Sequence, residues 1–371
     1  MPTPLPLAAP YDWIAERLRD QPTVTRLAFY AGAASIVAAA IVALWAVALR
    51  VAYQLRTSRR ADVRRRWTNL VLEYLDGQRP PLPRLKRWDR RAVIGRLNYL
   101  FDTLRGDAHD ELRRLMSDAG IDRAVESMLR ERNAAGQLIA LTAVAQMRLE
   151  RLQARVTPFV DDPRTAHSLA AARALMQVDP AHGAGIVLDR LPSRDDWHVT
   201  RIVELLEGSQ QAIGPALGDL LRAAEDPELA ARIIAVIESL KDGHGISAVR
   251  RLLAGGRRLE PRVMAAAVDA LGEFGDPRDI EVVRPGAVSL DPQVRMETAV
   301  AIGKLGSDED VPVLSELLHD PSPAVRREAA RALVRLPAMS KDRIKVMLSG
   351  LREDSDAHST LRRALLELRA S

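Results

Sequence analysis

The sequence predicts an all-α chain: a right-handed α-solenoid of about seven to eight helical-hairpin repeats, preceded by a single transmembrane helix. Three observations carry this expectation. Through residues 133–371, apolar positions recur with a period of about 31 residues, a length typical of helical-hairpin repeats. One uncharged run, Leu27–Leu49, is long enough to span a bilayer. The apolar 47 % of the 371 residues is mostly Ala, Leu, Val and Ile, with only 4 % aromatics. That composition suits packed helices better than β-sandwiches, which favour β-branched and aromatic residues. With no cysteine, disulfides, zinc thiolates and thiol catalysis are excluded.

From the N-terminus, residues 1–26 read as a short extracytoplasmic segment and residues 27–49 as the span. At ~1.5 Å per residue the run is about 34 Å long, enough to cross a hydrocarbon core of ~30 Å. It is longer and starts later than the apolar core of a cleaved signal peptide, and arginines follow it. Gly32, Ser35 and Ala39 offer a small-residue face for helix pairing or for a membrane-embedded partner.

The formal net charge of +5 is unevenly placed. Residues 50–91 carry 13 Lys+Arg against Asp62, Glu73, Asp76 and Asp89, a net of +9, so residues 92–371 are at −4. The positive-inside rule therefore places the C-terminal part in the cytoplasm, at a bacterial-type inner membrane. Arg56, Arg59, Arg60, Arg64, Arg65 and Arg66 are the expected contacts with anionic headgroups. An acidic, aromatic-poor array argues against nucleic-acid binding, which needs phosphate neutralisation and base stacking.

Residues 50–132 read as a basic juxtamembrane segment and a helical neck that caps the array. "VRRRWTNLVLEYLDG" supplies Trp67, Leu70, Val71, Tyr74 and Leu75. "RWDRRAVIGRLNYLFDTLRG" supplies Trp88, Val93, Leu97, Leu100 and Leu104. The tryptophans read as core or interfacial anchors.

The repeat occupies residues 133–371. Val263, Val294 and Val325 are evenly spaced, as are Leu271, Ile302 and Leu333. Upstream of Leu271 the series continues through Ile237, Leu206, Leu175 and Val144 at the same interval, except that the step from Ile237 to Leu271 is longer. The extra residues of that step fall in "AGGRRLE". Asp226-Pro227, Glu260-Pro261, Asp291-Pro292 and Asp320-Pro321 read as N-caps followed by proline in the first turn. A second short helix follows in each copy, as in "DVPVLSELLHD". Neither helix buries its apolar face alone, so the copies must stack. "DAHSTLRRALLELRAS" reads as a closing cap. In "VVRPGAVSLDP", Pro285-Gly286 must break a second helix.

"DPQVRMETAVAIGKLG" and "DPSPAVRREAARALVRL" resemble the short HEAT-like repeat found in phycobilin lyases. The resemblance covers residues 133–371 and is strongest in the last four copies. It implies that Arg295 and Arg326 pair with acidic groups of the adjoining repeat, giving a structural ladder of Asp291, Arg295, Asp320 and Arg326. Fold membership alone names no activity.

The seven histidines form no metal-binding motif, and no P-loop or GxGxxG is present. Asp161-Asp162 and Asp195-Asp196 sit where helix caps are expected. The sequence thus points to no catalytic residue, no cofactor and no metal. It is read as a membrane-anchored scaffold or adaptor that binds a protein partner, for example an accessory subunit of an envelope or polysaccharide assembly. The alternative is an enzyme of the phycobilin-lyase-like or DNA-glycosylase-like type.

Overall fold

The computed structural model describes residues 23–208, 210–255, 258–337 and 339–370. Residues 1–22, most of the expected extracytoplasmic segment, lie outside the described residues. Every regular element among the described residues is helical, and the chain divides into two compact units, residues 1–100 and 101–371.

The first unit is dominated by one unbroken helix, Thr23–Leu75. Its 53 residues span about 80 Å at ~1.5 Å per residue. The apolar part, Tyr30–Val51, has a mean hydropathy of 2.3 and none of it is buried. The helix ends where Gly77 adopts φ 79° and Gln78 N–H donates to Glu73 O at 2.9 Å, closing the last turn through a left-handed residue. Trp67, Leu70, Val71 and Tyr74 are buried near this end, as are Val93, Ile94 and Leu97 of the helix Arg90–Thr103. Arg96 Nε donates to Thr68 Oγ1 at 3.1 Å, tying the two helices together. Of the two tryptophans, Trp67 is the one in the core. Trp88 precedes the second helix, in a turn, and is 67 % exposed.

In the second unit, a hairpin of Ala108–Asp118 and Ile121–Leu129 turns at Gly120, φ 63°. It stacks on Ala134–Met147, so helical stacking begins upstream of Asn133, the N-cap of that helix. A first row of helices then runs through Thr165–Val178, Val199–Leu206, Pro227–Leu240, Pro261–Phe274, Pro292–Leu305, Pro323–Arg335 and Asp356–Ala370, each packed on the next. A second row alternates with it and includes Pro180–Arg190, Gln210–Ala223, Gly243–Ala254, Val311–Leu317 and Lys341–Gly350. The repeat register is visible in burial: Val144, Leu175, Leu206, Ile237, Leu271, Ile302 and Leu333 are each 0 or 1 % exposed.

Caps follow the register more strictly than the Asp-Pro pairs suggest. Asp226 accepts from Glu228 and Leu229 N–H, and Asp291 from Gln293 and Val294 N–H. The next helix, however, begins two residues after Asp320-Pro321, with Ser322 as N-cap and Pro323 in the first turn. Ser322 and Pro323 stand one full repeat beyond Asp291 and Pro292, at the interval that separates Val294 from Val325. The apolar stripe, not the Asp-Pro motif, therefore sets where the helix starts. Asp161, Asp162, Asp195 and Asp196 are likewise not N-caps. Asp161 pairs with Arg190, Asp162 with Arg164, Asp195 with Arg232 and Asp196 with Arg194.

First-row helices approach closely at two glycines. A Cβ on Gly272 would stand 2.9 Å from Ala301 Cβ, and one on Gly303 would stand 2.8 Å from Ala332 Cβ. At an exposed helical site Gly→Ala stabilises by about 1 kcal/mol; here overpacking costs more. Gly303→Ala is expected to destabilise the array by about 1 kcal/mol, measured by urea unfolding followed by circular dichroism.

Candidate functional site

Salt bridges join neighbouring repeats along both rows. In the first row Arg295 clamps Asp320 at 2.6 and 3.0 Å while donating to the carbonyls of Ser289 and Leu290. Arg326 repeats the arrangement, donating to Asp320 O and Pro321 O and reaching Asp356 at 2.7 Å. Asp291 stays on its own helix as a cap. Burial raises the pKa of Asp320, but the Arg295 pair and the Ser322 N–H outweigh it, so the net shift is downward.

A second ladder was missed from the sequence. Arg250 pairs with Asp279, and Arg284 with Asp310, across successive second-row elements. Asp279 and Asp310 are 0 and 1 % exposed, and a buried carboxylate requires such a partner. The two aspartates are separated by one repeat period. That spacing was the available signal, hidden because neither residue falls in the apolar stripe. These residues hold the array together; they are not placed to act on a ligand.

Among the surfaces open to ligands in the described residues are two recesses and one acidic face. The first recess, about 820 Å³, crosses the early first-row helices. Leu169, Ala170 and Leu205 line it, with Arg173, Arg201 and Glu204 among its polar residues. At one end His109 stacks on Phe101, ring centroids 4.3 Å apart, with its Nε2 2.9 Å from the carbonyls of Phe101 and Leu104. The second recess, about 1120 Å³, lies in the second row beside the Pro285 break.

The register places Thr142, Arg173, Glu204 and Asp269 on one face of the first row. Further along that face Glu238, Asp269 and Glu297 are half-buried. Burial, reinforced by neighbouring carboxylates, pushes all three pKa values up. Lys304, which pairs with Glu273, is the cation among them. Among the described residues no group of three His, Asp or Glu is placed to hold a metal ion.

Gly32, Ser35 and Ala39 all lie on the exposed apolar part of the long helix. Ser35 Oγ donates to Ala31 O at 2.8 Å, so its hydroxyl is satisfied within its own helix. Arg64, Arg65 and Arg66 are exposed on the continuation of that helix. Arg56, Arg59 and Arg60 lie on the same stretch, their side chains outside the described residues.

A carboxylate whose folded pKa is raised weakens the fold at neutral pH, and the penalty disappears below its unfolded value near ~3.9. Asp269→Asn is therefore expected to stabilise the protein at pH 7 by roughly 0.5 kcal/mol, the size of a like-charge pair on a helical surface. The gain should shrink as pH falls toward ~4, as read from urea midpoints across pH.

A family model for HEAT repeats matches residues 214–289 and 283–369. No curated protein matches the chain. Among solved structures, Kap121p superposes with a TM-score of 0.52 at 14 % identity, over 80 % of this chain and 37 % of Kap121p. An engineered protein gives a TM-score of 0.34 at 20 % identity, over 76 % of this chain and 85 % of its own. The complex of CpcE and CpcF of phycocyanin lyase from Nostoc sp. PCC7120 gives 0.25 at 13 % identity, over 78 % of this chain and 97 % of its own. At these identities Kap121p speaks to the fold alone. Residues 214–369 thus belong to the HEAT-repeat family, and the array they continue is a HEAT-like α-solenoid.

Proposed function

We propose that the chain is a membrane-anchored, non-enzymatic scaffold whose solenoid binds a protein partner on the cytoplasmic side of a bacterial-type inner membrane. One observation carries this reading. The uncharged run is exposed on every side and continues without a break into the helix end that carries buried Trp67 and Tyr74. Water does not tolerate such a run, whereas a bilayer core of ~30 Å accommodates it. Solenoids present extended surfaces suited to protein partners, and a shared membrane raises the effective concentration of both.

The unbroken helix also divides the arginines. Upright, it carries Arg56 about 8 Å and Arg64 about 20 Å beyond Val51. Screening at physiological salt acts over ~8 Å. Arg50 and Arg56 are then the headgroup contacts, Arg59 and Arg60 lie at the margin, and Arg64, Arg65 and Arg66 belong to a charged stalk. The partner within this reading is an envelope or polysaccharide assembly component, docked through the solenoid or through the small-residue face at Gly32, Ser35 and Ala39.

The expected behaviour is that of an integral protein: the full chain stays in the membrane pellet through high salt and alkaline carbonate. Replacing Leu27–Leu49 by a polar linker should release it as a soluble, helical protein. Extraction of the unaltered chain by carbonate would refute the anchor.

A further inference from the structure

Between the long helix and the helix Arg90–Thr103 runs "RPPLPRLK", Arg79–Lys86, which has no regular secondary structure. Its composition dictates its shape. Proline fixes φ at about −65°, and a residue that precedes proline is pushed toward extended backbone. Pro80, Pro81 and Pro83 impose both constraints on the run from Arg79 to Pro83. The outcome is polyproline II, a left-handed helix of about three residues per turn that makes no internal hydrogen bonds. Accordingly, no backbone–backbone hydrogen bond involves Pro80–Leu85 among the described residues. Accessibility carries the same period. Pro81 and Arg84, one such turn apart, are exposed, whereas Pro80, Leu82, Pro83 and Leu85 are half-buried.

The run is held at both ends. Arg79 Nη1 donates to Tyr74 O at 3.3 Å, and the guanidinium lies 4.6 Å from the centre of the Tyr74 ring. Beyond the run, Asp89 N–H donates to Lys86 O at 3.0 Å and closes a turn. A segment already fixed in its bound shape loses little entropy on binding. Its charge is of one sign: no acidic residue lies from Gly77 to Trp88. Arg84 and Arg87 are exposed, and neither has an ion-pair partner among the described residues.

We infer that Arg79–Arg87 is a docking segment for a partner protein that carries a shallow groove of aromatic side chains bordered by carboxylates. Aromatic-lined grooves take preformed polyproline II segments through their proline rings. Pro81 and the open sides of Pro80 and Pro83 supply those rings here, and Arg84 and Arg87 meet the carboxylates. A lipid surface is the competing acceptor for a basic segment, and height disfavours it. In the proposed anchor an upright helix carries Leu75 about 36 Å beyond Val51, well past the ~8 Å over which charge acts at physiological salt. The inference thus rests on the scaffold reading, and it names the surface and chemistry of one partner.

The test titrates the full chain, held in zwitterionic-lipid nanodiscs, with an isolated SH3 domain and an isolated WW domain, followed by calorimetry. Each domain is also used with a groove tryptophan replaced by alanine. The expected result is saturable binding of at least one intact domain. The groove substitution should weaken it about tenfold or more, as should Pro80→Ala, Pro81→Ala and Pro83→Ala combined, which leave the charge unchanged. Arg84→Glu with Arg87→Glu, both at exposed positions, should weaken it about tenfold. An unchanged circular dichroism spectrum verifies the fold, and Pro81→Ala alone, at an exposed position, should weaken binding if the combined variant does not fold. No saturation by either domain, or equal binding by the proline-free chain or by the groove-disabled domain, would overturn the inference. Loss of binding when the nanodiscs contain phosphatidylserine would overturn it in favour of a lipid surface. A chain that stays in the bilayer through carbonate yet binds neither domain defeats this inference alone; a chain that leaves the bilayer defeats the scaffold reading.

Discussion

The structure of residues 101–371 depends on one constraint: no hairpin can bury its own apolar stripe, so each must press against the next. The stripe from Val144 to Leu333 is buried in every copy, and each first-row helix packs on its neighbour. Two contacts are so close that Gly272 and Gly303 face Ala301 and Ala332 without room for a methyl group. Stability in such an array is a sum of repeat and interface contributions. The ion-pair ladders act on top of this packing. Arg250, Arg284 and Arg295 each meet a carboxylate of the following repeat that is nearly or fully buried. Removing either partner would leave a buried charge unpaired, which is costly even where the intact pair contributes little net stability.

What the sequence disclosed follows from this physics. Burial repeats at a fixed interval, so the apolar register was legible, as was the break at Pro285. Side-chain pairings were legible only where the HEAT resemblance supplied them, at Arg295 and Arg326. The Arg250–Asp279 and Arg284–Asp310 ladder went unread because polar partners obey geometry across the interface, not periodicity along one helix. The Asp320 cap misled for a related reason. Asp-Pro is a strong local signal, but the stripe through Val325 fixes the helix two residues further on. A second broken element, around Pro158 in the 3-10 segment Thr157–Asp161, carries the same proline signal as Pro285 and was overlooked. Pro215, by contrast, sits inside Gln210–Ala223 without ending it.

The candidate sites were less legible than the fold, because a docking surface is defined by what the repeat fails to do. The acidic face around Asp269 keeps carboxylates half-buried beside one another, at a cost to stability at neutral pH. The recess at Pro285 leaves apolar side chains in water. Proteins commonly give up stability of this kind where function requires it, and both features lie in the part of the array that matches HEAT repeats. The long helix adds a different kind of irregularity. Its uncharged half is a poor solute, and its charged half continues as the same helix to Leu75.

In the proposed arrangement the chain crosses a membrane once, with the solenoid on the arginine-rich side. Because the natural sequence lacks cysteine, a single cysteine placed at Thr3 or at Ser371 can report its side directly. In intact cells whose outer barrier is permeabilised, a membrane-impermeant maleimide should label Thr3→Cys at once. Ser371→Cys should react only after the inner membrane is opened. Equal labelling of both before opening, or the reverse order, would rule this topology out.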